Sequence, residues 1–118
     1  MSIFEFKDYK QYLNAWIESQ PRKGRGIGRK IAESTRLSPA MLSHILSGDK
    51  HFSPEAAMDV ALFLGLPDAE TDYFLLLVNY SRAGSHSLKK AYATKVAAEQ
   101  KRNNELQKKV NQIGRAHV

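Results

Sequence analysis

The dipeptide Ser-Pro occurs twice in the middle of the chain, at Ser38-Pro39 and Ser53-Pro54, and each time the apolar stretch that follows is closed by a glycine, Gly48 and Gly65. A serine ahead of a helix accepts hydrogen bonds from the free N–H groups of the first turn, and proline fits that turn because its missing N–H would have no partner there. Glycine at the far end takes the left-handed conformation that closes helices. The two signals predict helices from Pro39 to about Ser47 and from Pro54 to about Leu64. In the second of these, Ala57, Val60, Ala61 and Leu64 form an apolar face. Helices this short are stable only when their apolar sides cross one another in a shared core.

The flanking segments carry the same helical period. Phe4, Phe6, Tyr9, Tyr12, Leu13, Trp16 and Ile17 recur at steps of three and four, which predicts a first helix from about Phe6 to Ser19 with an aromatic stripe turned to the core. Pro21 and the glycines at 24, 26 and 28 interrupt it, so a basic, flexible connection is expected. A second helix from about Gly28 to Thr35 turns Ile31 and Ala32 inward. Pro67-Asp68 opens a fifth, reaching about Ser81, whose Tyr73, Phe74, Leu76, Leu77, Val78 and Tyr80 make it apolar on most sides and the expected central element. After a break at Ala83-Gly84-Ser85, one long polar helix is expected from about His86 to Gln112. Its stripe of Leu88, Tyr92, Val96, Leu106 and Val110 is too thin to be buried alone, and calls for another chain or a continuation of this one. No stretch alternates as a strand would.

The expected fold is therefore all-α, with a five-helix domain over residues 1–84 and an extension helix over 85–112. The ending Ile113-Gly114-Arg115-Ala116-His117-Val118 resembles a translated sequencing adapter, so residues 113–118 are expected to be a non-native tail on a chain that naturally continues. A length of 118 residues accommodates one domain and an extension. No apolar run approaches the roughly 20 residues of a membrane span, and no secretory signal opens the chain. The absence of cysteine removes disulfides and thiolate metal sites. A cytoplasmic protein without a membrane partner is expected.

The net charge of +6 is unevenly placed. Residues 1–84 hold ten Lys/Arg and ten Asp/Glu, and the excess lies beyond them. Within the balanced part, Arg22, Lys23, Arg25, Arg29 and Lys30 stand together without an acid, whereas Asp59, Asp68, Glu70 and Asp72 gather later. Such a division suits a basic face opposite an acidic one, although the basic run alone reads equally well as a solvated loop. Chemistry finds no foothold. No nucleophile stands with a base, and Gly24-x-Gly26-x-Gly28 lacks the strand that a dinucleotide site requires. His44 and His51 have no carboxylate at supporting spacing, so neither a metal nor another cofactor is expected, and the chain is not read as an enzyme.

The run from Ile31 to Gly48 carries a resemblance. Ala32 in one helix, Leu37 after the turn, and Leu42 and Ile45 in the next resemble the Cro-repressor type of helix-turn-helix domain. There the small alanine lets the second helix cross closely, and the aliphatic residues form the wedge that fixes the angle. Arg36 departs from the pattern, since that turn position is often a glycine with positive φ; an arginine there costs on the order of 1 kcal/mol. The stretch from Ile3 to about Ala83 also resembles the N-terminal domain of a bacterial family of predicted transcriptional regulators with a longer C-terminal domain of unknown function. Phe6-Lys7-Asp8-Tyr9, the Leu37-Ser38-Pro39 start, Phe52 to Glu55, Leu64 to Leu66 and Tyr73 to Val78 carry that likeness.

The resemblance implies sequence-specific binding of double-stranded DNA, with the third helix in the major groove and the protein acting as a homodimer. Base contacts would fall to Pro39, Ala40, Ser43, His44 and Ser47, and phosphate contacts to Arg25, Arg29, Lys30, Ser38, Lys50 and His51. The alternative is a helical protein-interaction module that keeps the fold without the DNA role, the long final helix supplying its surface. On that reading His44 is a plain surface histidine and Lys50-His51 an ordinary loop.

Overall fold

The computed structural model describes residues 1–116, and side chains through residue 111. Among them there is no strand: the chain forms α1 (Tyr9–Ser19), α2 (Ile27–Thr35), α3 (Pro39–Ser47), α4 (Pro54–Leu64), α5 (Asp68–Arg82) and α6 (His86–Ala116), with 3-10 turns at Ile3–Glu5 and Pro21–Gly24. The reading of the last six residues as foreign falls on side chains outside the described set.

Helix starts follow the local capping chemistry. Ser38 Oγ accepts from the Met41 N–H at 3.0 Å, and Ser53 Oγ from the Ala56 N–H at 3.1 Å. The first helix begins later than its aromatic stripe suggests. Asp8 caps it by accepting from the Lys10 N–H at 2.8 Å, while Ile3–Glu5 form a separate turn closed by Ser2 and Glu5. Phe6 lies extended between the two (φ −108°, ψ 146°), because a carboxylate two residues later offers the backbone a better start than Phe6 can.

Helix ends divide into two kinds. In α4 the Leu66 N–H reaches back to Ala61 O and the Gly65 N–H to Leu62 O; in α2 the Leu37 N–H reaches Ala32 O and the Arg36 N–H Glu33 O. Both are the paired closure that requires a left-handed residue, here Gly65 (φ 69°) and Arg36 (φ 59°). Gly48 corrects the expectation for α3: it is extended (φ −124°, ψ −154°), not left-handed. Its lack of a side chain matters for space, since a Cβ would sit 2.8 Å from the His44 carbonyl oxygen. The link after α1 is likewise a defined turn where a flexible one was expected. Arg22 and Lys23 both take positive φ, and Gly24 is buried where a Cβ would collide with the backbone of Ile17.

The core is built around α5, whose Tyr73, Phe74, Leu77 and Val78 are buried. Tyr9, Tyr12 and Leu13 of α1 pack with it, and the small Ala56, Ala57 and Ala61 of α4 allow close approach between helices. The long final helix finds a partner for the middle of its thin stripe in this same body. Val96 is buried, Gln100 Nε2 donates to Phe4 O at 3.0 Å, and the Lys89 ammonium stands 4.9 Å over the Tyr80 ring. Farther along, Leu106 and Val110 run out to solvent at 49% and 59% exposure.

Candidate nucleic-acid interface

The pair α2 and α3 presents one helix at the surface on the back of another. Ile31 and Ala32 of α2 and Leu42 and Ile45 of α3 are all nearly solvent-free, and Leu37 in the turn between them is half-buried. All four belong to the shared core, so Leu42 and Ile45 fix the rotation of α3 about its own axis. That rotation decides which residues face out. Pro39, Ala40, Ser43, His44 and Ser47, spaced one and three to four apart on a single side of α3, are all exposed.

The far end of α3 is held from α1. Lys10 Nζ donates to Gly48 O at 2.6 Å, and Asn14 Nδ2 makes a longer bond to Leu46 O at 3.4 Å. A groove of about 520 Å³ runs between the end of α1 and α3, floored by Ile17, Leu42 and Leu46. Asn14, Arg29, Ser43 and Ser47 border it, and no acid does.

The donors on the outward face are largely uncommitted. Among the described residues neither Ser43 Oγ nor the His44 ring forms an intramolecular hydrogen bond. Ser47 Oγ donates to Ser43 O at 2.7 Å, which leaves its oxygen as an acceptor. Ser38 spends its acceptor on the cap and keeps its hydroxyl hydrogen free. Of the cations proposed for phosphate, Arg29 shares the groove with Pro39 and Ser43, whereas Arg25, Lys30 and Lys50 are exposed on the flanking turns and on α2.

His51 is placed differently from these. It is half-buried, and its Nδ1 hydrogen-bonds to Tyr9 Oη at 2.9 Å. Burial above all, and then the positive charges of Lys10, Arg82 and Lys89, push its pKa below the ordinary value. Near neutral pH the ring is uncharged and turned toward α1, a weaker phosphate ligand than an imidazolium. Lys10, Arg82 and Lys89 are the functional candidates that sequence reasoning passes over. They stand tens of positions from the turn they surround, and no spacing rule connects them.

Among the described residues no three His, Asp or Glu side chains converge to hold a metal ion, and no helix is long and apolar enough to cross a membrane. Comparison with protein-family models, curated proteins and solved structures found no match to this chain.

Proposed function

We propose that this chain is a sequence-specific DNA-binding domain of a transcriptional regulator, with α2 and α3 as a Cro-repressor-type helix-turn-helix pair and α3 lying in the major groove. The observation that carries the reading is the outward side of α3. Five small or polar side chains stand exposed on a helix clamped from behind by Leu42 and Ile45, and its bordering groove holds a cation and no acid. A helix with its side chains is about 10–12 Å across, which fits the roughly 12 Å width of the major groove, where every base pair displays a distinct pattern.

In that setting Ala40 packs on a thymine methyl, and Ser43 or His44 hydrogen-bonds a purine edge. The set lacks the bidentate Arg, Asn and Gln contacts that discriminate most strongly. Specificity therefore draws on DNA shape and on two half-sites read by a homodimer. Selection of binding duplexes from a random pool is the test. The wild-type domain yields a motif, and His44→Ala alters it at one position in each half-site; an unaltered motif takes His44 out of the base-reading set.

The second reading, a protein-interaction module, has its own support in Leu106 and Val110, which α6 leaves in solvent beyond the body. Salt separates the two. Duplex binding weakens log-linearly as salt rises, and Arg29→Ala or Lys30→Ala makes the slope shallower by about 0.9 for each phosphate that is no longer neutralised. A folded protein with no salt-dependent affinity for duplex favours the module.

A further inference from the structure

The turn between α3 and α4, residues 48–52, is surrounded by positive charge from four segments of the chain. From α1, Lys10 Nζ donates to Gly48 O at 2.6 Å and to Lys50 O at 2.7 Å. From the end of α5, Arg82 Nη1 donates to Phe52 O at 2.7 Å. Lys50 belongs to the turn itself and is exposed, and Lys89 projects from the first turns of α6 across Tyr80. Burial first, and then the charges of Lys10, Arg82 and Lys89, hold the His51 pKa below its ordinary value, in keeping with cations gathered about this turn.

These charges are held but not cancelled. Their partners are carbonyl oxygens, which are dipoles, and the ion pair found among the described residues, Arg102 with Glu99, lies elsewhere. The acids nearest in the chain are Asp49 in the turn, Glu55 in the first turn of α4, and Asp8, which caps α1 and keeps its charge; none of them is ion-paired with these cations among the described residues. Donor capacity also remains: Lys10 has used two of three N–H groups on carbonyls, and Arg82 one of five.

Position gives the charge a use. Gly48 directly follows α3, so the cluster stands at the C-terminal end of that helix, while Ser38 and Arg29 stand near the opposite end. A helix about 10–12 Å across fills a groove about 12 Å wide, and cations beyond either end of α3 then lie toward the phosphate ridges that border it. We infer that the α3–α4 turn is a second phosphate clamp, in which Lys10, Arg82 and Lys89 join Lys50 to grip the DNA backbone on the far side of the groove. This rests on the DNA-binding reading above. A row of backbone phosphates suits it better than a single small anion, because the cations come from separate segments along the surface.

The experiment is a fluorescence-anisotropy titration of the full chain with a selected duplex and a scrambled duplex over a range of salt. Lys50→Ala/Lys89→Ala is compared with the charge-matched Lys108→Ala/Lys109→Ala, each checked for native helicity. Both residues of the first pair are exposed, so folding is preserved. The clamp predicts a slope of log affinity against log salt shallower by about 1.8 for the first pair, about 0.9 per phosphate, with equal weakening on both duplexes. The control leaves the slope unchanged, and Lys89→Arg retains the wild-type value. Salt-dependent binding whose slope survives Lys50→Ala/Lys89→Ala overturns the clamp and leaves the α3 reading standing. Wild-type protein that binds neither duplex overturns both.

Discussion

Arg36 occupies the backbone conformation that Gly65 occupies at the end of α4, with φ of 59° against 69°. A side chain in this left-handed region costs about 1–2 kcal/mol, part of which glycine would give back through its greater freedom when unfolded. Arg36→Gly is therefore expected to raise stability by about 0.5–1 kcal/mol, read as a higher midpoint in urea denaturation. A lower midpoint would mean that the arginine side chain stabilises something its exposure does not suggest. His51 gives a second expectation at this scale. Its folded pKa lies below the ordinary 6.5, so the unfolded chain takes up a proton that the folded chain refuses. Its contribution is whole above about pH 6.5 and declines as pH falls from there toward the lower folded value. Denaturation midpoints at about pH 7.5 and about pH 5.5 should differ less in His51→Gln than in wild type. The left-handed role of Arg36 is legible in the sequence because it is local. The role of Gly48 is not: the same letter serves both a positive φ and a close carbonyl, and only the packed turn separates them.

Helices are legible wherever a short-range signal decides their limits. The starts at Pro39 and Pro54 follow from serine caps within three residues, and the ends at Thr35 and Leu64 from the left-handed residues beside them. Periodicity alone misplaces the start of α1, because the aromatic pattern continues through Phe6 although Asp8 breaks the helix there. The turn over Pro21–Gly24 is hidden in another way: Arg22 and Lys23 take positive φ although neither is a glycine, and Gly24 is needed for its close approach to the Ile17 backbone. The outward face of α3 follows once Leu42 and Ile45 are assigned inward. The cations around residues 48–52 depend on contacts across 30 or more positions that no local period encodes. The crossing of α3 over α2 also makes a test between elements. Ala32 is nearly solvent-free, so Ala32→Leu overpacks the core that α2 shares with α3 by about 1–3 kcal/mol. It is expected to tilt α3 and weaken duplex binding more than His44→Ala does, although no outward residue is changed. Unaltered binding in a folded Ala32→Leu protein would show that the angle between α2 and α3 is not what presents the surface.

The molecule as a whole is less compact than its length allows. Its radius of gyration is 15.8 Å, against about 13.5 Å for a compact domain of this size. The difference is explained by α6, which is seated on α5 and the N-terminal turn through Val96 and Gln100 and then runs on past them. The protein thus carries a small-residue face on α3 that holds no acid, with cations to either side, and a long helix with Leu106 and Val110 in solvent. The two share no residue, and the proposed DNA contact concerns the first. Amide chemical shifts recorded while duplex DNA is added report on both surfaces at once. The predicted result is a set of salt-sensitive changes centred on residues 38–47 and reaching residues 25–30 and 48–52. Changes confined to the outer half of α6, or none at duplex concentrations that saturate an ordinary DNA-binding domain, would contradict it.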